Sequence, residues 1–189
     1  MRIDKLRRAY DIRVKFVQFP LHPETPPEGI SLDALFGGSA EDPARKARQA
    51  RMKALMDAEG LPYGERTHSY NSRLAQELAK WAEGQPGGEA IHDALFRAYF
   101  VHGRNLGDAE VLLDLARSVG LPEQEAKAVL GERSFSAAVD EDWRISRQAG
   151  VTGVPTFAAG GYGIVGAQPY EELERLVQAA GAQPKKNGS

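Results

Sequence analysis

The pattern of apolar and polar residues divides the chain into a short first part, a long helical middle and a short last part that returns to β structure. At the start, Ile3, Leu6 and Tyr10 recur at helical spacing and predict the end of a helix. The segment IRVKFVQF at 12–19 carries apolar residues on both of its alternating faces, which predicts an interior strand ended by Pro20. The proline-rich segment PLHPETPPEGISL then predicts an ordered loop.

From residue 42 the 3.6-residue period of helices continues for about a hundred residues. Asp42 followed by Pro43 predicts a helix start, with an N-cap residue and proline at the first helical position. Asn71 or Ser72 is expected to cap a second helix, and Asp108 a later one. Together with the other apolar periods, this gives six predicted helices in total before Gly150.

The C-terminal part predicts a hairpin and a helix. TFAA and YGIVG flank Gly160-Gly161, a pair typical of a tight reversal with positive φ. A helix with a narrow apolar stripe follows Pro169. We therefore expect an α/β fold with an all-helical insertion: residues 1–40 and 150–181 form one domain, 41–149 the helical insertion, and 182–189 a flexible tail.

Composition limits the classes of function. The chain has 189 residues and a net charge of -2, which argues against a general binder of nucleic acid or anionic membrane. No apolar run has the length of a membrane helix, and MRIDKLRRAY lacks the apolar core of a signal peptide, so we expect a cytoplasmic location. The sequence contains no cysteine, which excludes a thiol nucleophile and disulfides from this chain.

Four segments carry a resemblance to a known family. They are PLHPETPPEG at 20–29, NSRLAQELAKWA at 71–82, ALFRAYFVHGRNLGD at 94–108, and GVTGVPTF with GAQPYEEL between 150 and 173. In their order and spacing the chain resembles a DsbA-family oxidoreductase of the FrnE-like branch. That branch is related to 2-hydroxychromene-2-carboxylate isomerases and kappa-class glutathione transferases.

The resemblance implies a thioredoxin-like fold with a helical insertion, and thiol–disulfide exchange as the family activity. It places Val154 and Pro155 at the substrate-binding corner, with a cis bond between them and the backbone of Val154 offered to an extended substrate. The implied partner is a disulfide-containing protein or a small thiol. No cofactor is implied, except glutathione under one alternative below.

The chain departs from the family at its front. Family members begin with a strand, a Cys-x-x-Cys and a helix, and this chain starts inside that helix, so no catalytic residue can be assigned. The missing piece would comprise roughly 15–25 residues. In the family its strand lies between 12–19 and 156–159, so we expect the chain to be an incomplete fold. Either another chain in a homo-oligomer fills the gap or the natural protein has more N-terminal sequence.

Two flanking positions are further candidates for the site. Ala167 and Gln168 precede the last helix, where free N–H groups could hold an anion such as a carboxylate of glutathione. Simple N-capping is the interpretation that we favour there. Asn71 matches a family asparagine, and an N-cap explains it equally well.

Other polar residues indicate no additional chemistry. The histidines have no spacing that would form a helical metal pair, so no metal site is predicted. His102 falls on an apolar face of a predicted helix, and we interpret it as a packing residue. The basic run ARKARQARMK lacks interleaved aromatic residues, which favours a solvated helix face over a nucleic-acid patch.

Two other functions remain open on the same fold. A glutathione-dependent isomerase or transferase would carry serine in place of the first cysteine, in the segment before Met1. A non-catalytic member would keep the groove as a peptide- or partner-binding surface, and the cysteine-free composition favours it if Met1 is the true start.

Overall fold

The computed structural model describes residues 2–37 and 42–185. In chain order the elements are α1 (Arg2–Ala9), β1 (Ile30–Ser31), α2 (Leu32–Phe36), α3 (Pro43–Ala58), β2 (His68–Ser69), α4 (Arg73–Ala82), α5 (Ala90–Phe100), α6 (Ala109–Ser118), α7 (Glu123–Glu132), α8 (Ser136–Gln148), β3 (Thr156–Ala159), β4 (Tyr162–Val165) and α9 (Tyr170–Ala179). The result is a mixed α/β fold that is mostly helical, with small sheets.

The chain forms two compact units. The helical unit is His22–Glu141, and the hairpin unit comprises Met1–Leu21 with Asp142–Ser189. Both limits differ by some residues from the domain limits expected from the sequence, and the assignment of domains stays a prediction.

The core of the helical unit is formed by α4, α5, α6 and α7, which pack against one another. Leu78, Ile91 and Leu112 have no solvent exposure at all. The predicted caps are present: Asp42 accepts a hydrogen bond from the N–H of Ala44 at 3.0 Å, and Asp108 one from the N–H of Glu110 at 2.9 Å. The helical period of the sequence is therefore reproduced in the buried faces.

One charged side chain lies inside this core. Glu77 is fully buried, and its carboxylate accepts hydrogen bonds from Arg73 at 2.7 Å and from Arg133 at 2.7 and 2.8 Å. Burial by itself would raise the pKa of Glu77, but the hydrogen bonds from Arg133 and Arg73 outweigh it and hold the pKa below its ordinary value. The carboxylate is thus ionised and paired in the folded protein.

Helix α3 differs from the core helices. It is 16 residues long, and Arg45, which pairs with Asp33, is its only buried side chain. The other basic residues of the run lie on exposed helix positions, as expected for a solvated face.

The hairpin unit is built around β3 and β4. These strands pair antiparallel with Phe157 opposite Ile164 and Ala159 opposite Tyr162. Gly160 and Gly161 form the reversal with φ of 57° and 84°, values that favour glycine, so the predicted hairpin is confirmed. Leu6, Tyr10 and Leu173 form its buried cluster, with Phe157 and Ile164 among the side chains that pack on it.

The strand predicted at 12–19 is wrong. Residues 11–20 have no regular secondary structure, and Phe16 and Val17 are 38% and 41% exposed. A strand requires a hydrogen-bonded neighbour, and none of the described strands pairs with this segment. Gln18 bonds instead to α8: its N–H donates to Asp142 at 3.1 Å, and its carbonyl accepts from Ser146 at 3.2 Å.

Three short elements were not predicted. They are β1, α2 and β2, and the two strands pair antiparallel through Ile30 with Ser69 and Ser31 with His68. Strands of two residues show no hydrophobic alternation, so the sequence carries no signal for them.

The first residues of the predicted tail are held by hydrogen bonds. The N–H of Asp11 donates to Gln183 at 2.8 Å, and the N–H of Lys185 donates to Ala9 at 2.8 Å. Residues 182–185 thus lie against the end of α1 instead of beginning a flexible tail. The rest of that predicted segment, 186–189, lies outside the described residues.

Candidate functional site

The corner before β3 consists of Val154 and Pro155, the two residues that the resemblance places at the substrate-binding site. The Val154–Pro155 peptide bond is cis, and the side chain of Val154 is 49% exposed. The carbonyl of Pro155 accepts a hydrogen bond from the N–H of Gly166 at 2.7 Å, which extends the β3–β4 pairing by one residue. The hydroxyl of Thr156 donates to the carbonyl of Gly153 at 2.7 Å and closes the corner.

The pairing decides which backbone groups of β3 remain available. In an antiparallel pair, alternate residues direct their N–H and C=O groups to opposite edges of the strand. Pro155, Phe157 and Ala159 face β4, so Thr156 and Ala158 direct theirs to the other side. Val154 follows at the same spacing. We call Val154, Thr156 and Ala158 the outer edge of β3.

The outer edge has unpaired backbone groups. Within residues 2–37 and 42–185, the N–H and C=O of Val154, Thr156 and Ala158 make no hydrogen bond. The side chain of Ala158 is exposed, and that of Thr156 is half-buried. A row of unpaired donors and acceptors on a strand is a template for pairing with another extended segment.

A polar cluster holds the helices behind the hairpin. The hydroxyls of Tyr10 on the α1 side and Tyr170 on α9 both donate to the same oxygen of Glu174 at 3.1 Å. Gln178 in turn donates to Tyr10 at 2.6 Å. Burial, followed by the bond to Glu174, raises the pKa of Tyr170 above its ordinary value. These bonds fix α1 against α9. Tyr10 also belongs to the buried cluster on which Phe157 packs.

Gln168 neither caps α9 nor presents a free N–H. Its side-chain amide donates to Val165 at 2.6 Å, its backbone N–H donates to Gly166 at 2.8 Å, and Pro169 is the N-cap residue, without a side-chain bond. The carbonyls of Ala167 and Gln168 accept hydrogen bonds from Arg2. The N-capping interpretation is therefore wrong, because the side chain turns back to the hairpin. Of the N–H groups that were proposed to hold an anion, that of Gln168 already donates to Gly166, and anion binding at Ala167 stays a prediction.

Asn71 lies in the helical unit and joins a loop to a helix start. Its side-chain oxygen accepts from the N–H of Arg73, the first residue of α4, at 2.9 Å. The N-cap position itself is held by Ser72, which makes no side-chain capping bond. Its amide nitrogen donates to the carbonyls of Pro23 at 3.2 Å and Thr25 at 2.7 Å. These three bonds give Asn71 a structural role, and a contact with substrate stays a prediction.

In the described part of the chain no group of histidine and carboxylate side chains is arranged to hold a metal ion. No helix among the described residues is long and apolar enough to cross a membrane. His102 is exposed just after the end of α5, so its interpretation as a packing residue is wrong.

Comparison with known proteins identifies the family. The model of the DSBA-like thioredoxin domain matches residues 1–178, nearly the whole chain. The chain belongs to this family. A probable DsbA oxidoreductase from Streptomyces coelicolor is 30% identical and superposes with a TM-score of 0.84, covering 100% of this chain and 86% of its own.

Two further relatives of this DSBA-like chain are more distant. The uncharacterized protein YwbO of Bacillus subtilis is 26% identical over 175 residues, which cover 90% of this chain and 83% of YwbO. The cytosolic disulfide reductase DsbM of Pseudomonas aeruginosa, solved with GSH, is 22% identical with a TM-score of 0.54, covering 86% and 81% of the two chains. At that identity, DsbM supports the fold alone. The thioredoxin-like fold with a helical insertion is thereby confirmed.

The edge of this DSBA-like chain was predicted only in part. Val154 and Pro155 were predicted to bind substrate, which stays a prediction, whereas Thr156 and Ala158 were not named. The signal was present in the sequence, because the Gly160-Gly161 reversal sets the pairing of the strands. Counting back in steps of two from that turn assigns the outward-facing residues.

Proposed function

We propose that this chain binds an extended segment of a thiol- or disulfide-containing polypeptide as an added strand along the outer edge of β3. The observation that carries this proposal is the backbone of Val154, Thr156 and Ala158, which is unpaired within the described residues and accessible. It is the edge at which the resemblance expects a strand of the family to lie, so an extended segment suits it. Added strands gain affinity from main-chain hydrogen bonds, and their specificity comes from alternate side chains.

The family supplies the class of substrate. The chain is a member of a thiol–disulfide oxidoreductase family, in which exchange starts with attack by a thiolate. The sequence contains no cysteine to supply that thiolate. The role that we propose for the described residues is therefore to hold the substrate. Membership of the FrnE-like branch, a cytoplasmic location and a homo-oligomer remain further parts of this proposal.

A peptide titration followed by NMR tests the docking. The probe is a ten-residue peptide rich in valine and threonine, with one S-methylated cysteine at its centre. Its matched control has the same sequence with backbone N-methyl groups at alternate residues, which removes the donors that pair with a strand. We expect the first peptide to shift the amide signals of Val154, Thr156 and Ala158 and to slow their hydrogen exchange. The N-methylated peptide is expected to bind at least about tenfold more weakly.

Equal binding of the two peptides would contradict the proposal, as would shifts confined to the helical unit. A second assay tests the absence of catalysis: reduction of insulin by dithiothreitol is expected to proceed at the same rate with and without the protein, because a redox cycle through a thiolate needs sulfur. Clear acceleration would show that the chain does more than bind.

A further inference from the structure

A surface groove lies between α5 and α6, within the helical unit. Its volume is about 380 Å³, within the range of small-molecule sites. Ala94 and Ala98 of α5 and Leu115 and Val119 of the α6 side give it an apolar floor. The remaining lining is largely polar, and its charges decide which ligand fits.

Three basic side chains line the groove, namely Arg97, His102 and Arg104. Arg97 donates from Nε to Asp93 at 2.6 Å, and Arg104 donates from one Nη to Asp114 at 3.0 Å. Within the described residues, the other guanidinium N–H groups of both arginines and the ring of His102 make no hydrogen bond. Each arginine therefore retains donors for a second oxyanion.

The end of α5 holds these side chains in place. After Phe100 the chain reverses at Gly103, whose φ of 62° favours glycine. The N–H of His102 donates to the carbonyl of Arg97 at 3.2 Å, and the N–H of Arg104 donates to the carbonyl of Ala98 at 2.8 Å. The turn thus folds His102 and Arg104 back onto the helix that carries Arg97.

The charged groups that line the groove are ion-paired. Asp93 accepts from Arg97, Asp114 accepts from Arg104 from outside the lining, and the hydroxyl of Ser118 donates to the carbonyl of Leu115 at 2.7 Å. Guanidinium groups with unused N–H donors match the paired oxygens of a carboxylate or a phosphate. The unused N–H groups of the two arginines therefore favour an oxyanion as the ligand.

We propose that this groove binds a small organic oxyanion. Its carboxylate or phosphate is held by Arg97 and Arg104, and its apolar portion lies on Ala94, Ala98 and Val119. The proposal does not depend on docking at β3, because none of these residues belongs to the hairpin unit.

Titration of the ¹⁵N-labelled 189-residue chain with phenyl phosphate tests the site. Inorganic phosphate carries the anion alone, benzyl alcohol carries the ring alone, and benzoate distinguishes a carboxylate from a phosphate. We expect phenyl phosphate or benzoate to shift the amide signals of His102, Arg104 and Val119 at concentrations up to about 10 mM, with the two partial probes binding more weakly.

Substitutions locate the binding groups. Arg97→Ala and Arg104→Ala are each expected to weaken binding about tenfold, and Arg97→Lys to restore it only in part, because lysine cannot bind bidentately. Arg51→Ala on α3 is the matched control, since it removes an exposed arginine outside the groove, and it is expected to leave binding unchanged. A thermal melt of each variant identifies loss of folding. If an alanine variant does not fold, the weaker binding expected for Arg97→Lys tests the proposal in its place.

Two results would overturn the proposal: no shift in these amides with either aromatic anion, or equal weakening by Arg51→Ala and Arg104→Ala. Binding of inorganic phosphate as tight as that of phenyl phosphate would overturn the role of the apolar floor.

Discussion

The two units bury their backbone and side chains in different ways. In the helical unit each helix satisfies its own backbone, so apolar faces such as those of Leu78 and Ile91 need only pack against one another. In the hairpin unit, β3 pairs on one side with β4, and among the described residues its outer edge has no hydrogen-bonded neighbour. A helical core can therefore be completed by side-chain packing alone. A sheet also requires neighbouring strands that pair with its backbone N–H and C=O groups.

Replacing Leu78 by alanine tests whether the helical unit depends on close packing. The side chain is fully buried in the α4–α7 core, so its removal is expected to lower the free energy of unfolding by about 3–4 kcal/mol. Urea denaturation followed by circular dichroism measures the loss. A loss below about 1 kcal/mol would show that this core is loosely packed, and would remove the contrast between the units.

Replacing Glu77 by glutamine tests the charged part of the same core. The substitution is expected to cost roughly 2–3 kcal/mol at neutral pH, because two arginines lose a buried carboxylate. The folded-state pKa of Glu77 lies below its ordinary value, so its contribution is complete above that value and is lost as the pH falls through the folded-state pKa. The difference in stability between the wild type and Glu77→Gln is therefore expected to shrink below about pH 4.5, the ordinary value.

Urea denaturation of both proteins at several pH values between neutrality and acid measures this difference. Glu77→Ala is expected to lower the free energy of unfolding further, since it also leaves a cavity. If the difference in stability stays constant down to strongly acid pH, the ionised carboxylate of Glu77 is not its source.

Replacing Ala158 by lysine tests whether the outer edge of β3 in the hairpin unit is accessible. Its side chain is exposed on the outer edge of β3, so the change is expected to alter the free energy of unfolding by no more than about 0.5 kcal/mol. The same denaturation experiment checks it. A cost above about 1.5 kcal/mol would mean that this position is covered in solution, and would contradict the description of the edge as accessible.

The sequence predicted what depends on local patterns. Helix caps at Asp42 and Asp108 and the reversal at Gly160-Gly161 were correct because each rests on residues within a few positions. The strand predicted at 12–19 was wrong. Alternating apolar residues show that a segment can form a strand, but they do not show that a neighbouring strand is present to pair with it. Gln168 was wrong as a cap because its side chain has a nearby carbonyl at Val165, a contact that follows from the hairpin and has no sequence signature.

The exposure of helix α3 makes it a place where the chain can accept substitutions and insertions. Because Arg45 is its only buried side chain, substitutions at its other positions remove few contacts and are expected to cost little beyond helix propensity. The same exposure means that an additional turn, or a peptide tag placed at its C-terminal end, displaces no core side chain. Length variation and engineered insertions are therefore tolerated best around residues 43–58, while the buried helices α4–α7 keep their length.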